Sequence, residues 1–311
     1  MNSIAAPILA SEPVSAPEFL RPRRSVSVVM VVFMTGEALE KSLACVLADP
    51  LVDELVVVDN GSTPAEAARL RALDGRDDRV RLLAGHGNVG FAKGANLGAA
   101  KAKGDLLVFL NPDAFLQDGC VAALAREIGD RPAPCIVGGR VLNSDGTEQR
   151  GARRGEITPM SAVLSMSGLA KGRSLSRYEV HWEGDALPDH AVATPTISGA
   201  CFCMRREDFD RVGGFDEGYF LHVEDVDLCW RVRQAGGEVL FHPRAEVVHI
   251  GGTSQTSPLK VEFHKGVGLA RYFRKRAVGV GQQAAAWALS PLVVIAAVVR
   301  PVLWRLTGRA G

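Results

Sequence analysis

The sequence lacks the marks of several large functional classes. Its six cysteines, Cys45, Cys120, Cys135, Cys201, Cys203 and Cys229, contain no Cys-x-x-Cys pair, which excludes the usual cysteine-based zinc site. Cys201 and Cys203 alternate along an expected strand and share one face, so small apolar core residues are the simplest reading of that pair. Residues 1–24 lack an early positive charge and an apolar run of secretory-signal type. Their Ala, Pro and Ser content reads as a loose tail. Reduced cysteines without an export signal point to the cytoplasm. No internal repeat is evident. Charge of one sign is also missing overall, with a net charge of only +1. That balance hides an asymmetry. Eight of the 36 basic residues and none of the 35 acidic ones lie from His264 onward, so the preceding body is net −7. An acidic body excludes the basic folded face a nucleic-acid binder needs. It fits a body that handles cations and a tail that meets anionic lipid.

What is present points to an α/β protein. A chain of 311 residues, 47% hydrophobic and with 33 glycines, can bury one large core or two smaller ones and make many tight turns. Ser25–Phe33 is a continuous apolar, β-branched run, as expected of a strand buried on both faces. Glu37–Ala48 follows with helical spacing. Glu54–Val58 reads as a second buried strand, ending in Asp59-Asn60-Gly61-Ser62. Thr63–Leu73 reads as a helix, with Ser62 or Thr63 as cap and Pro64 in its first turn. Val80–Leu83 is a third strand, Gly90–Lys103 a helix rich in small residues, and Asp105–Leu110 a fourth strand ending in Asn111-Pro112-Asp113. Alternating strands and helices predict an open, mostly parallel Rossmann-like sheet flanked by helices. Ligands bind such sheets beyond the carboxyl ends of the strands, where Asp59 and Asp113 fall. From Ser144 to Ala193 the pattern weakens to loops and short helices over that face. Thr196–Arg205 is an expected strand, Arg206–Val212 a short helix, and Glu238–Phe241 and Ala245–His249 two short strands.

The densest chemistry lies in Gly213–Arg231, GGFDEGYFLHVEDVDLCWR. Asp216, Glu217, Glu224, Asp225 and Asp227 crowd near glycines and aromatics. Crowded carboxylates in a partly apolar setting repel one another, so one or more should have a raised pKa suited to proton abstraction. Asp227 and Arg231 stand four apart and can pair along a helix. Glu224 and Asp225 fall at its start, where the helix dipole favours negative charge. A strand-end Asp such as Asp59 can accept from a pyrimidine base or from ribose. A second strand-end Asp with a distant His, here Asp113 and His249, can hold Mn2+ or Mg2+ against a diphosphate.

In this order of motifs the chain resembles the inverting, nucleotide-sugar-dependent glycosyltransferases of family 2, and among them the bacterial rhamnosyltransferase-like members. The match runs from about Ser25 to Ser257. It rests on Val-Asp-Asn-Gly-Ser, Asn-x-Gly followed by Asn-x-Gly, Asn-Pro-Asp, Gly-Gly-Phe-Asp-Glu, Glu-Asp-x-Asp-Leu and a late His. The resemblance implies the GT-A fold and a nucleoside diphosphate sugar donor, deoxythymidine-diphosphate rhamnose. It implies a saccharide or lipid-linked saccharide acceptor in the cell envelope. Asp59 would meet the base, with Asn88, Gly90 and Asn96 beside nucleotide and sugar. Asp113 would bind the metal, His249 would complete the metal or diphosphate site, and Asn111 would take sugar hydroxyls or metal-bound water. Asp225 would be the catalytic base, shaped by Glu224 and Asp227, with Arg231 paired to Asp227. Asp216 and Glu217 would lie near the acceptor. Two departures stand out: Val32-Phe33-Met34 replaces a Thr-Tyr-Asn-like run, and Asn111 replaces the first Asp of Asp-x-Asp.

Other readings compete. The turns at Asp59 and at Asn111 could be plain turns, and His249 a structural histidine. Arg150, Arg153 and Arg154 read most simply as a solvated loop, with an anionic acceptor such as a lipid diphosphate as the alternative. Gly85-His86-Gly87-Asn88-Val89-Gly90 fits the dinucleotide fingerprint G-x-G-x-x-G, making an oxidoreductase the rival class. That run follows the third strand, however, and leaves the acidic block without a role. A non-catalytic sugar-binding protein on the same fold is a second rival. In the tail, Arg271–Arg276 precedes an uncharged run, Ala277–Val299, near the ~20 residues that span a bilayer. Basic flanks on both sides, including Arg300, Arg305 and Arg309, favour a helix lying on the membrane surface. The alternative is a helical hairpin packed on the body or on another subunit of a homodimer. The expected division is a tail over 1–24, a catalytic domain over 25–262 and a helical extension over 263–311.

Overall fold

The computed structural model describes residues 23–129, 131–167, 175–254 and 256–306. The expected loose tail lies outside them except for Arg23 and Arg24, which are tied to Asp53 and to the Gly129 carbonyl. In chain order the first elements are β1 (Val26–Val32), α1 (Ala38–Ala48), β2 (Glu54–Asp59), α2 (Pro64–Asp74), β3 (Val80–Leu83), α3 (Phe91–Lys101) and β4 (Leu106–Leu110). There follow β5 (Ala114–Leu116), α4 (Cys120–Ile128), β6 (Cys135–Leu142), β7 (Arg153–Arg154), α5 (Pro159–Ser167), β8 (Val192–Ala193), β9 (Thr196–Ile197) and β10 (Cys201–Arg205). The chain continues through α6 (Arg206–Arg211), α7 (Glu224–Gln234), β11 (Glu238–His249), α8 (Pro258–Arg276) and α9 (Gly279–Leu306).

The strands β3, β2, β1 and β4 lie side by side and parallel. Next comes β10, antiparallel to both β4 and β6. Two reversals leave β6 and its parallel neighbour β11 running in the direction of β4. The carboxyl ends of β2, β4 and β11 therefore share one edge, which carries Asp59, Asn111 to Asp113, and His249. The sheet ends in β5, with β8 also paired to β11, and β7 with β9 forms a separate ribbon.

Side chains alternate across each strand. Val28, Met30 and Val32 pack with Leu39, Leu43 and Leu124 on one face. Val29 and Val31 pack on the other with Ala92, Ala95 and an aromatic group of Phe109, Phe202, Phe209 and Phe215. The small residues of α3 have a steric cause: a Cβ on Gly98 would come within 2.5 Å of Val29. All six cysteines are free and all but Cys45 are buried, as core residues should be.

Several expectations are corrected. The strand expected over 196–205 is broken at Ser198-Gly199-Ala200 into β9 and β10, which belong to different sheets. The two strands expected over 238–249 are one, β11, with an irregularity between His242 and Glu246. The elements β5, α4 and β6 had no counterpart in the sequence reading. The boundary expected at 263 falls inside α8, whose Tyr272 and Phe273 are buried in the body's core. Nor are the tail's first cations reserved for lipid: Arg271 and Lys275 pair with Asp216, and Arg276 with Glu156. The helices α8 and α9 form a hairpin, with Gly266 against Val294 and Ala297, and Arg274 over Trp287 and bonded to Ser290. The outer side of α9 is apolar and open, Trp287, Leu292 and Ile295 being 65%, 60% and 56% exposed. By length and composition Gly279–Val299 could cross a membrane.

Candidate active site

The Asp59 end of the candidate site is built from turns. The Asp59 Oδ1 accepts from the backbone N–H groups of Gly61 (3.1 Å) and Ser62 (2.7 Å), a local arrangement that short Asp side chains favour. Its Oδ2 has no protein partner among the described residues. Thr63, rather than Ser62, caps α2 in a reciprocal box with Glu66. Asn60 donates to the Gly90 carbonyl at 2.9 Å, and Asn88 accepts from the Gly90 N–H at 3.0 Å. These bonds tie the Asp59 turn to the Gly85–Gly90 loop. The Phe33 ring lies 3.4 Å from where a Cβ on Gly61 would stand. The departure at Val32-Phe33-Met34 thus puts an aromatic wall beside Asp59. Nothing supports a dinucleotide loop at Gly85–Gly90. Gly90 has a left-handed φ of 84°, and a Cβ there would stand 2.7 Å from the Phe220 carbonyl oxygen. The Phe220 carbonyl also accepts from the Phe91 N–H at 2.8 Å, so the start of α3 is closed by this loop.

At the end of β4, Asp113 is buried. Its Oδ2 accepts from the Thr253 hydroxyl at 2.9 Å, and its Oδ1 lies 3.1 Å from His249 Nε2. Burial alone would raise its pKa, but the imidazole and the hydroxyl outweigh burial and hold it low. Asn111 is the other neighbour of His249 Nε2, at 3.2 Å. A residue not singled out from the sequence, Gln149, fixes the ring. Its Nε2 donates to the His249 carbonyl (3.0 Å) and to Asn143 Oδ1 (3.2 Å), which turns Oε1 toward His249 Nδ1 at 2.7 Å. The Nδ1 atom must then carry a proton, and Nε2 is the nitrogen turned to Asp113. One carboxylate and one imidazole nitrogen so aimed fit a divalent ion that keeps water and phosphate oxygens in its other positions. Among the described residues no group of three or more His, Cys, Asp or Glu is placed to hold a metal.

The opposite side is the start of α7. Two residues that are not glycine, His222 (φ 67°) and Val223 (φ 75°), adopt left-handed backbone just before it. Such strain persists only where surrounding structure enforces it. Asp225 Oδ1 accepts from the Val226 N–H at 2.8 Å, and Oδ2 accepts from the Gly199 N–H at 3.1 Å and from Arg154 Nη2 at 2.6 Å. A Cβ on Gly199 would press on Asp225 at 3.2 Å. The next residue, Ala200, accepts from the Asn111 N–H at 2.9 Å. The bridge Gly199-Ala200 therefore joins Asp225 to the Asn111–Asp113 turn. Glu224 is enclosed, its Oε2 unpartnered. Desolvation, with the negative charge of Asp225, pushes its carboxyl up to about 8. The raised pKa expected of the block is thus found on Glu224.

Five residues expected at the site, Asp227, Arg231, Asp216, Glu217 and Asn96, are engaged with one another, with α8 or with the loop before α7. Asp227 is fully buried, bonded to Tyr219 (3.2 Å), Arg231 (2.7 Å) and Lys275 (2.7 Å). Arg231 also donates to the Val212 carbonyl. Asp216, expected near the acceptor, pairs with Arg271 and Lys275, which hold it well below the usual carboxylate range despite burial. Glu217 accepts from Asn96, whose amide also clasps the Phe215 backbone at 2.9 Å on both sides. Asn96 therefore braces this loop. These residues anchor α7 and α8.

The arginine cluster is not a solvated loop. Arg153 and Arg154 form β7. Arg153 is 5% exposed, paired with Glu148 at 2.8 Å and lying over the Phe241 ring, while Arg154 holds Asp225. Arg150 is exposed and has no ion-pair partner among the described residues. The one available sequence signal for Arg154 was charge: a buried acidic block needs cations.

A family model for glycosyl transferase family 2 matches residues 27–213, and one for the N-terminal domain of galactosyltransferase matches residues 187–252. The chain is 29% identical over 234 residues to an N-acetylglucosaminyl-diphospho-decaprenol L-rhamnosyltransferase of Mycobacterium tuberculosis (strain ATCC 25618 / H37Rv), covering 71% of this chain and 75% of that one. Its fold matches GalNAc-T7, crystallised with UDP, GalNAc and Mn2+, at a TM-score of 0.58 and 20% identity, over 81% of this chain. The match takes in 48% of GalNAc-T7, so this chain spans about half its length. It also matches the mannosyltransferase PcManGT of Pyrobaculum calidifontis, in complex with GDP-Man and Mn2+, at a TM-score of 0.58 and 17% identity, over 92% of this chain and 76% of that one. These likenesses bear out the expected GT-A fold.

Proposed function

The chain belongs to glycosyl transferase family 2, and from that premise we propose that it transfers rhamnose, with inversion, from deoxythymidine-diphosphate rhamnose to a hydroxyl of a lipid-linked saccharide in cell-envelope synthesis. The observation that carries this reading is the pairing of two unlike carboxylate sites across one short bridge. Asp113 with His249 stands on one side and Asp225 on the other, joined through Gly199, Ala200 and Asn111. A nucleotide base docks at Asp59 against Phe33, with Asn88 and Gly90 alongside. Asp113 and His249 would hold a divalent ion, which would supply charge neutralisation for the leaving diphosphate. Asp225 takes the proton of the acceptor hydroxyl as its oxygen attacks the anomeric carbon from the face opposite the diphosphate. The new C–O bond forms, the C–O bond to phosphate breaks, and its electron pair leaves with the nucleoside diphosphate. Arg154 and the Gly199 N–H orient Asp225, and Glu224 stays neutral behind it.

The mycobacterial relative is named for rhamnosyl transfer to a decaprenol diphosphate sugar, which supports the donor and the acceptor class. The open apolar side of α9 suits a helix lying on the cytoplasmic leaflet where such an acceptor is presented. Vesicle flotation checks this: the full chain should float with anionic vesicles, and a chain ending at Ala277 should float less. Calorimetry with a panel of nucleoside diphosphate sugars, with and without Mn2+ or Mg2+, tests the function. Metal-dependent binding of the thymidine donor is the expected result. Binding of none of the donors would overturn the reading.

A further inference from the structure

The surroundings of Asp225 hold more positive charge than a proton acceptor needs. Arg154 bonds to Asp225 and its strand bridges to His181. Arg150, four residues before Arg154, follows directly on Gln149, which touches the metal-side His249. The segment 149–154 therefore runs from the diphosphate side of the site to the base. Opposite it, α8 packs on the strained loop before α7. Gly268 admits the His222 carbonyl, which would stand 2.9 Å from a Cβ there, and His264 stacks on Phe220 with ring centroids 4.5 Å apart. Lys265, beside His264, is a positive neighbour of both His181 and His222, whose carboxylate neighbours are Glu179 and Asp225 respectively.

We propose that Arg150, Arg154, His181, His222 and Lys265 form the seat of a diphosphate carried by the acceptor, placing the acceptor's hydroxyl against Asp225. This rests on the glycosyltransferase reading above and assigns the acceptor its anionic handle.

Two further facts support it. His181 Nδ1 is buried without a partner, and so is Arg154 Nε. Burial first, and then the positive charges of Arg150 and Arg154, push the His181 imidazole down to about 4. His222 is exposed, with Lys265 and Arg154 among its positive neighbours. Arg153 is excluded from the seat because it is buried, its guanidinium taken up by Glu148 and the Asp185 carbonyl. A phosphate oxygen that drew Arg154 toward itself would also loosen its hold on Asp225, so seating the acceptor would free the base.

The test is calorimetric titration of n-octyl diphosphate into the full chain preloaded with Mn2+ and a nucleoside diphosphate, with n-octyl glucoside as the uncharged control. The loaded protein should bind the diphosphate and not the control. Arg150→Ala and Lys265→Ala should each weaken that binding by about 10-fold, the scale of one charge-assisted bond, and leave nucleoside diphosphate binding unchanged. Equal binding to wild type and variants, or equal binding of the control, overturns the proposal. Loss of nucleoside diphosphate binding in the variants also overturns it, since the cluster would then serve the donor. Failure of the glycosyltransferase reading shows separately, as absent metal-dependent nucleoside diphosphate binding in the wild type.

Discussion

The acidic block Gly213–Arg231 divides into two halves with opposite surroundings. Asp216 and Asp227 face α8, where Arg271, Lys275, Arg231 and Tyr219 meet their charge. Glu224 and Asp225 face the edge of the sheet. There, among the described residues, a single guanidinium meets Asp225 and no group meets the buried Oε2 of Glu224. Asp225 and Asp227 are two residues apart on a helix that turns about 100° per residue, so they point to opposite sides. Neighbours in a motif are thus not neighbours in space. One side of α7 anchors the fold, and the other faces the proposed site.

Substitutions on the two sides should separate activity from stability. Asp225→Asn should lower transfer by ~10²–10⁴, the usual loss for a general base, while donor binding and melting temperature stay near those of the wild type. Steady-state rates and calorimetry on the same preparation check this. Equal loss of donor affinity would mean that Asp225 serves the donor. Asp227→Ala removes one partner from a buried network and leaves Lys275 and Arg231 facing each other. Such a break typically costs ~3–5 kcal/mol, which denaturant unfolding would read as a lowered midpoint. If this variant instead kept its stability and lost only its rate, the division of the block would fail.

The same contrast extends to the metal side. Gln149 fixes which His249 nitrogen faces Asp113. Gln149→Leu should weaken Mn2+ binding by ~10–100-fold, the usual cost of losing a ligand's supporting bond. Electron paramagnetic resonance of free Mn2+, with a nucleoside diphosphate present, measures it. Gln149→Glu keeps an acceptor for the Nδ1–H and should bind nearly as the wild type does. If both variants lose affinity alike, Gln149 acts through the backbone of its loop and not through the ring.

The parallel half of the sheet was legible in sequence because each strand is an unbroken apolar run ended by a polar turn. Its carboxyl edge, with Asp59 and Asp113, followed directly. The pairing of Asp227 with Arg231 followed from helical spacing. The residues 144–200 were not legible, since a two-residue strand such as β7 carries no period. Gln149 and Arg154 reach their partners His249 and Asp225 over 100 and 71 residues of chain, and local pattern holds no information about such distances. The contacts of Asp216, Glu217 and Asn96 were hidden for the reverse reason. They sit in a motif, but α8, whose register on the body the sequence does not display, takes up Asp216.

Glu224 offers the finest test of the division. Its carboxyl is pushed up to about 8 from an ordinary value of 4.5, by burial and then by the charge on Asp225. Between those values the unfolded chain has released this proton and the folded chain has kept it. The stability Glu224 contributes is therefore complete below about pH 4.5 and is lost progressively as pH rises to about 8. Glu224→Gln removes that dependence, so the melting temperature of the variant relative to the wild type should climb across this window and level off above it. A flat difference would mean that Glu224 is ionised in the folded protein. Two adjacent carboxylates would then share the Arg154 charge, and the sheet-facing half of the block could no longer be a setting made for a single base.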